Sequence, residues 1–157
     1  MPGRDWLGSR RAEVAADRIL DAAGALFAEH DVAGVGMNDI ARAAGCSRAT
    51  LYRYFENREV LHTAYVHREA YRLHEHMTGL IGEIEDPRER LLAGLTTSMR
   101  LVRESPALSG WFATADSPIG AEMAEQSEVI QALTAGFLLS LHPDDPAAVH
   151  RRARWLV

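Results

Sequence analysis

A chain of 157 residues, 47% of them hydrophobic, holds enough apolar material for one or two small domains around a true core. No apolar run approaches the roughly 18 residues of a membrane span, and the opening MPGRDWLGSRR lacks the apolar centre of a secretory signal, so a cytoplasmic protein is expected. The net charge of −5 argues against a uniformly basic nucleic-acid binder, and the single cysteine, Cys46, excludes an intramolecular disulfide.

The first predicted helix covers residues 9–30, with Ile19, Ala22, Ala23, Leu26 and Phe27 recurring on one face at helical spacing. DVAGVG connects it to a short helix whose buried side is Ile40, Ala41 and Ala44. Gly36 stands at its N-cap, and Asp39 falls where a carboxylate reaches back to free backbone amides. Gly45 closes this helix, because glycine takes the left-handed conformation at no steric cost. Ser47 then caps a second short helix, 48–54, on which Leu51 and Phe55 point inward. Arg48, Ala49, Tyr52 and Arg53 are left on its outer side. Asn57 caps a longer helix from Arg58 towards Leu80, with Leu61, Ala64, Tyr65 and Leu73 as its apolar line.

Beyond it, Asp86-Pro87, Ser105-Pro106, Ser117-Pro118 and Asp145-Pro146 each place a capping residue before a proline at the first helical position. The stretch 118–141 reads as a helix with two adjoining faces. Ile130, Leu133, Phe137 and Leu141 form a large apolar stripe, and Ala132, Gly136 and Ser140 a small-residue one. Residues 147–157 begin another amphipathic helix. No strand-like alternation with hairpin turns is present, so the fold class is all-α.

Two short helices around a tight turn, the second bearing outward Arg and Tyr, form the layout of a helix-turn-helix DNA reader. Such a helix fits the major groove with its N-terminal residues at base edges. Arg48 or Arg53 can bind a guanine edge through two hydrogen bonds, while Thr50 and the hydroxyls of Tyr52 and Tyr54 reach phosphates. Ala49 is small enough to admit the helix backbone to the bases. Free amides near Asn57 and Arg58 would hold a further phosphate. A solvated helical hairpin would show the same bare pattern. Charge favours the DNA reading locally: between residues 42 and 58, Arg42, Arg48, Arg53 and Arg58 stand against Glu56 alone, a net +3. Arg4, Arg10 and Arg11 add a basic arm, and the acidic remainder would turn DNA away from every other face.

DIARAAGCSRATLYRYFENREVL resembles the signature of the TetR (tetracycline repressor) family of transcriptional regulators. Asp39-Ile40-Ala41, Ala44-Gly45, Ser47, Thr50-Leu51-Tyr52, Phe55, Glu59 and Leu61 stand where that family's pattern has them. The departures are Gly36 for Thr, Cys46 for a small aliphatic, Ala49 for Gly, Tyr54 for His and Arg58 for Lys. The resemblance implies a three-helix DNA-binding head over 1–57 and a helical regulatory and dimerisation body over 58–157. It makes Ser47, Arg48, Ala49, Thr50, Tyr52, Arg53, Tyr54, Asn57 and Arg58 the DNA-binding set. It also makes the 118–141 helix the first of two dimer-interface helices, through Ile130, Leu133, Gly136, Phe137 and Leu141. Chains of this family usually run further, so part of the second dimer helix is expected beyond Val157.

The family's body holds a small-molecule pocket, and Tyr71, Met77, Met99, Trp111, Phe112 and Met123 supply the large, soft side chains such a cavity needs. Ordinary core packing would use the same residues. His62, His67, His74 and His76 lie along one predicted helix without the three or four convergent ligands of a metal site, and are read as solvated or hydrogen-bonded. Cys46, in the turn, is read as a buried hydrophobe. No phosphate-binding glycine loop, Gly-x-Ser-x-Gly elbow or HExxH occurs, so neither catalysis nor a cofactor is expected. The expected partners are double-stranded operator DNA, a second copy of the chain and a small-molecule effector, with no membrane. A DNA-binding regulator that activates or acts without a ligand, or a helical adaptor that binds protein instead of DNA, is the alternative.

Overall fold

The computed structural model describes residues 6–105, 108 and 127–141. These form six helices and one 3-10 turn: α1 (Trp6–Glu29), the turn (Val32–Gly34), α2 (Met37–Ala43), α3 (Arg48–Tyr54), α4 (Arg58–Ile81), α5 (Pro87–Glu104) and α6 (Glu128–Leu141). No strand occurs among the described residues. The chain divides into two compact units, Met1–Tyr65 and Val66–Val157, so the first two turns of α4 belong to the N-terminal unit.

That unit is built on the apolar periodicity of α1. Ile19, Leu20, Ala23 and Phe27 are buried and pack with Val32, Val35, Ile40, Ala41, Leu51, Phe55, Leu61 and Tyr65. Each large side chain so buried contributes about 1.5–3 kcal/mol. The phenol ring of Tyr65 explains why α4 begins inside this unit. It meets Phe27 edge-on at 5.1 Å between centroids, and it lies so close to Gly24 that a Cβ there would stand 3.0 Å from Cε2. Gly24 is thus where α1 lets the tyrosine in.

Local capping fixes each short helix. The Asp39 carboxylate accepts from the Gly36 N–H at 3.3 Å, opening α2. Gly45, the sole residue with positive φ among those described, closes it at +66°. There the Cys46 N–H donates to the Ala41 carbonyl and the Gly45 N–H to the Arg42 carbonyl, the paired hydrogen bonds of a Schellman motif. Cys46 is half-buried in this turn rather than buried, because the motif, not an apolar cluster, fixes its place. The Ser47 hydroxyl accepts from the Thr50 N–H at 3.1 Å to open α3, and the Asn57 side chain accepts from the Val60 N–H at 2.9 Å to open α4.

In the C-terminal unit Met77, Ile81, Ala135, Phe137, Leu138 and Leu141 form an apolar core, with Ile84, Leu91, Ala93, Leu101 and Leu139 packed against it. The Asp86 carboxylate caps α5 through the Glu89 N–H at 2.8 Å, with Pro87 in the first turn. Gly94 admits Phe137: a Cβ there would lie 2.6 Å from its ring. The helix expected over 118–141 starts, among the described residues, at Glu128. Ser127 provides the reason, its hydroxyl accepting from the Ile130 N–H at 3.2 Å as an N-cap. Ser117-Pro118, Asp145-Pro146 and the helix expected over 147–157 lie outside the described residues.

Candidate nucleic-acid interface

Leu51 and Phe55, 0% and 5% exposed, anchor α3 in the core and so decide which side it shows to solvent. Ser47, Arg48, Ala49, Tyr52 and Arg53 are all exposed, and Thr50 and Tyr54 are half-buried. The outer face of α3 is therefore cationic, aromatic and, at Ala49, shallow.

Its long side chains are organised rather than splayed. The Arg48 guanidinium lies over the Tyr52 ring at 5.4 Å, and that of Arg53 over Tyr54 at 5.3 Å. The hydroxyls of Ser47 and Thr50 share a hydrogen bond of 2.9 Å at the start of the helix. A planar guanidinium beside a phenol, on the exposed face of a helix, can hydrogen-bond a guanine edge or a phosphate.

At the start of α4 the two expected contacts behave differently. Asn57 is exposed and spends its side-chain oxygen on the Val60 amide. Arg58 turns inward: its Nη2 donates to the Val32 carbonyl at 2.6 Å and to the Ala33 carbonyl at 2.8 Å. Its Nε donates to His62 Nε2 at 3.4 Å. His62 is 9% exposed and meets Phe27 edge-on at 5.3 Å. Burial, reinforced by the Arg58 charge, lowers its pKa from 6.5 to about 4. Neither this inward arginine nor its histidine was marked by spacing, since residues 58 and 62 would share a helix face in any environment.

A cleft of about 570 Å³ lies on the same unit, lined by Leu26, His30, Asp31, Gly34, Val35, Asp39, Arg42 and Ala43. Of the residues expected around an effector, Met77 is a core residue at 6% exposure, while Tyr71 and Met99 are 52% and 66% exposed. Trp111, Phe112 and Met123 lie outside the described residues. Of the expected dimer set, Phe137 and Leu141 are buried in their own unit's core, Ile130 and Leu133 are half-buried, and Gly136 is exposed. The small-residue stripe Ala132, Gly136 and Ser140 is thus the outer face of α6. Among the histidines His67 shares a hydrogen bond of 3.0 Å with the buried Ser127 hydroxyl.

The family model described as bacterial regulatory proteins, tetR family, matches residues 19–65, ending where the N-terminal unit ends. The uncharacterized HTH-type transcriptional regulator Rv1255c of Mycobacterium tuberculosis is 61% identical over the whole of this chain, which spans 78% of its length. The HTH-type transcriptional repressor KstR of Rhodococcus jostii is 29% identical over 95% of this chain and 72% of its own. The solved structure of RolR in complex with resorcinol is similar with a TM-score of 0.59 at 20% identity, over 94% of this chain and 95% of that one. At that identity the likeness concerns the fold.

Proposed function

Since this chain belongs to the tetR family of bacterial regulatory proteins and is a helix-turn-helix transcriptional regulator, we propose that it is a ligand-released repressor which binds a palindromic operator as a homodimer. The observation that carries the reading is the outer face of α3, where Arg48, Tyr52 and Arg53 stand exposed over a buried Leu51 and Phe55. In this reading α3 lies in the major groove, Arg48 and Arg53 read base edges, and Ser47, Thr50, Tyr52 and Tyr54 hold phosphates. The open amides at the start of α4, beside Asn57, take a further phosphate. Exposed Gly136 and its small neighbours on α6 form part of the contact with a second copy. Two heads on a two-fold axis then meet adjacent major grooves.

Release is a population shift. An effector bound in the body favours a spacing of the heads that no longer matches the operator, which requires different effector affinity in the two states. Tyr71, Met77, Met99, Trp111, Phe112 and Met123 are the proposed lining. Binding of the full-length protein to its own upstream DNA at several salt concentrations tests the core of this reading. Tight, sequence-selective binding that weakens steeply with salt is expected. Binding no tighter than to random DNA, there and after random-site selection, would overturn it.

A further inference from the structure

We propose that Arg58 is an internal strut of the DNA-binding unit and not a phosphate contact. The inference rests on the DNA-binding reading for its functional consequence, but its geometry stands alone. Arg58 opens α4, and its guanidinium faces the carbonyls that the 3-10 turn leaves without full helical partners. One terminal nitrogen bridges the Val32 and Ala33 oxygens, and Nε rests on His62, which is held edge-on by Phe27. Charge-assisted bonds of this length to carbonyl oxygens are among the stronger polar contacts a protein makes.

The strut joins two pieces that must agree in position for DNA to be read. The 3-10 turn leads through Val35 and Gly36 into α2, and α2 carries α3 through the Gly45 turn. The start of α4 presents the open amides beside Asn57. Without Arg58, the turn keeps its local closures alone: the Gly34 N–H on the Asp31 carbonyl at 2.9 Å, the Ala33 N–H on the Asp31 carboxylate at 3.2 Å and the longer bond from the Val35 N–H to the Val32 carbonyl at 3.4 Å. Arg58 therefore acts on DNA through the elements it joins. A lysine would keep the charge, but its shorter stem and missing Nε cannot reproduce both the carbonyl bridge and the His62 contact.

Amide hydrogen exchange on the DNA-free protein tests the strut, and salt-dependent operator binding tests its consequence, each on wild type, Arg58→Met and Arg58→Lys. Faster exchange of the Gly34 and Val35 amides in both variants is expected. Operator affinity should fall about tenfold, roughly the entropy of re-ordering one backbone residue of the released turn on docking, with the slope of log affinity against log salt unchanged. A phosphate contact would behave oppositely: unchanged exchange, a slope shallower by about one in Arg58→Met, and wild-type affinity in Arg58→Lys. Either the unchanged exchange or the shallower slope overturns the proposal. If Arg58→Met does not fold, Arg58→Lys decides by the same exchange criterion. If the wild type shows no selective binding, the repressor reading fails while the exchange result still judges the strut.

Discussion

Arg48 and Tyr52 are exposed and stack on one another, so replacing either with alanine removes contact chemistry without opening the core. Arg48→Ala should weaken operator binding by about 1–3 kcal/mol, a base contact, and Tyr52→Ala by about 1 kcal/mol, a phosphate hydrogen bond, each seen as a shift in binding midpoint with an unchanged helical circular dichroism spectrum. An adaptor that ignores DNA would show no such shift. His62 makes a different prediction. Its pKa of about 4 in the folded state lies below its ordinary 6.5, so the neutral ring is the buried form. From pH 6.5 down to about 4 the unfolded chain takes up a proton that the folded chain refuses. Stability contributed by the neutral ring is therefore complete above pH 6.5 and lost progressively below it, by a total of about 3 kcal/mol. Thermal unfolding followed between pH 7 and 4.5 should show this fall in wild type, and a shallower one in His62→Gln.

At the level of elements, the two small helices were legible because their signals are local. Gly36 with Asp39, Gly45, Ser47 and Asn57 each act within a few residues, and each does in the structure what its chemistry requires. The inward turn of Arg58 was not legible, because its partners lie 25 and 26 residues away and are backbone carbonyls, which leave no mark on side-chain pattern. Nor did periodicity mark Ser127 as a cap: its hydroxyl accepts from the Ile130 amide at the start of α6, a local bond inside a stretch expected to be continuous helix. The close approach of α5 and α6 was equally hidden, since a glycine inside a helix pattern does not say who sits over it. Gly94→Ala places a methyl 2.6 Å from the Phe137 ring. That overpacking should cost about 1–3 kcal/mol, measured as a lowered urea midpoint, although alanine is the better helix former.

For the whole molecule, the proposed assembly can be separated from the fold. An added Cβ at Gly136 meets nothing within 4 Å, and the residue is exposed on α6. Gly136→Arg should therefore leave thermal unfolding of the single chain near wild type while shifting the sedimentation profile from dimer to monomer. An unchanged profile would remove this face of α6 from the interface. Charge acts on the same scale. With a net −5 overall and +3 between residues 42 and 58, the chain concentrates its attraction for DNA on a small part of its length. That segregation was readable from the sequence, whereas which face displays it required the burial of Leu51 and Phe55.

The two arginine–tyrosine stacks on α3 also bear on the thermodynamics of recognition. A free arginine side chain carries about 2 kcal/mol of rotamer entropy, which a base contact must normally suppress at the moment of docking. Arg48 and Arg53 already lean on aromatic rings at 5.4 and 5.3 Å, so part of that disorder is removed when α3 folds. Calorimetry should find the entropic penalty of operator association smaller than the number of ordered guanidinium groups implies, and larger once the rings of Tyr52 and Tyr54 are gone.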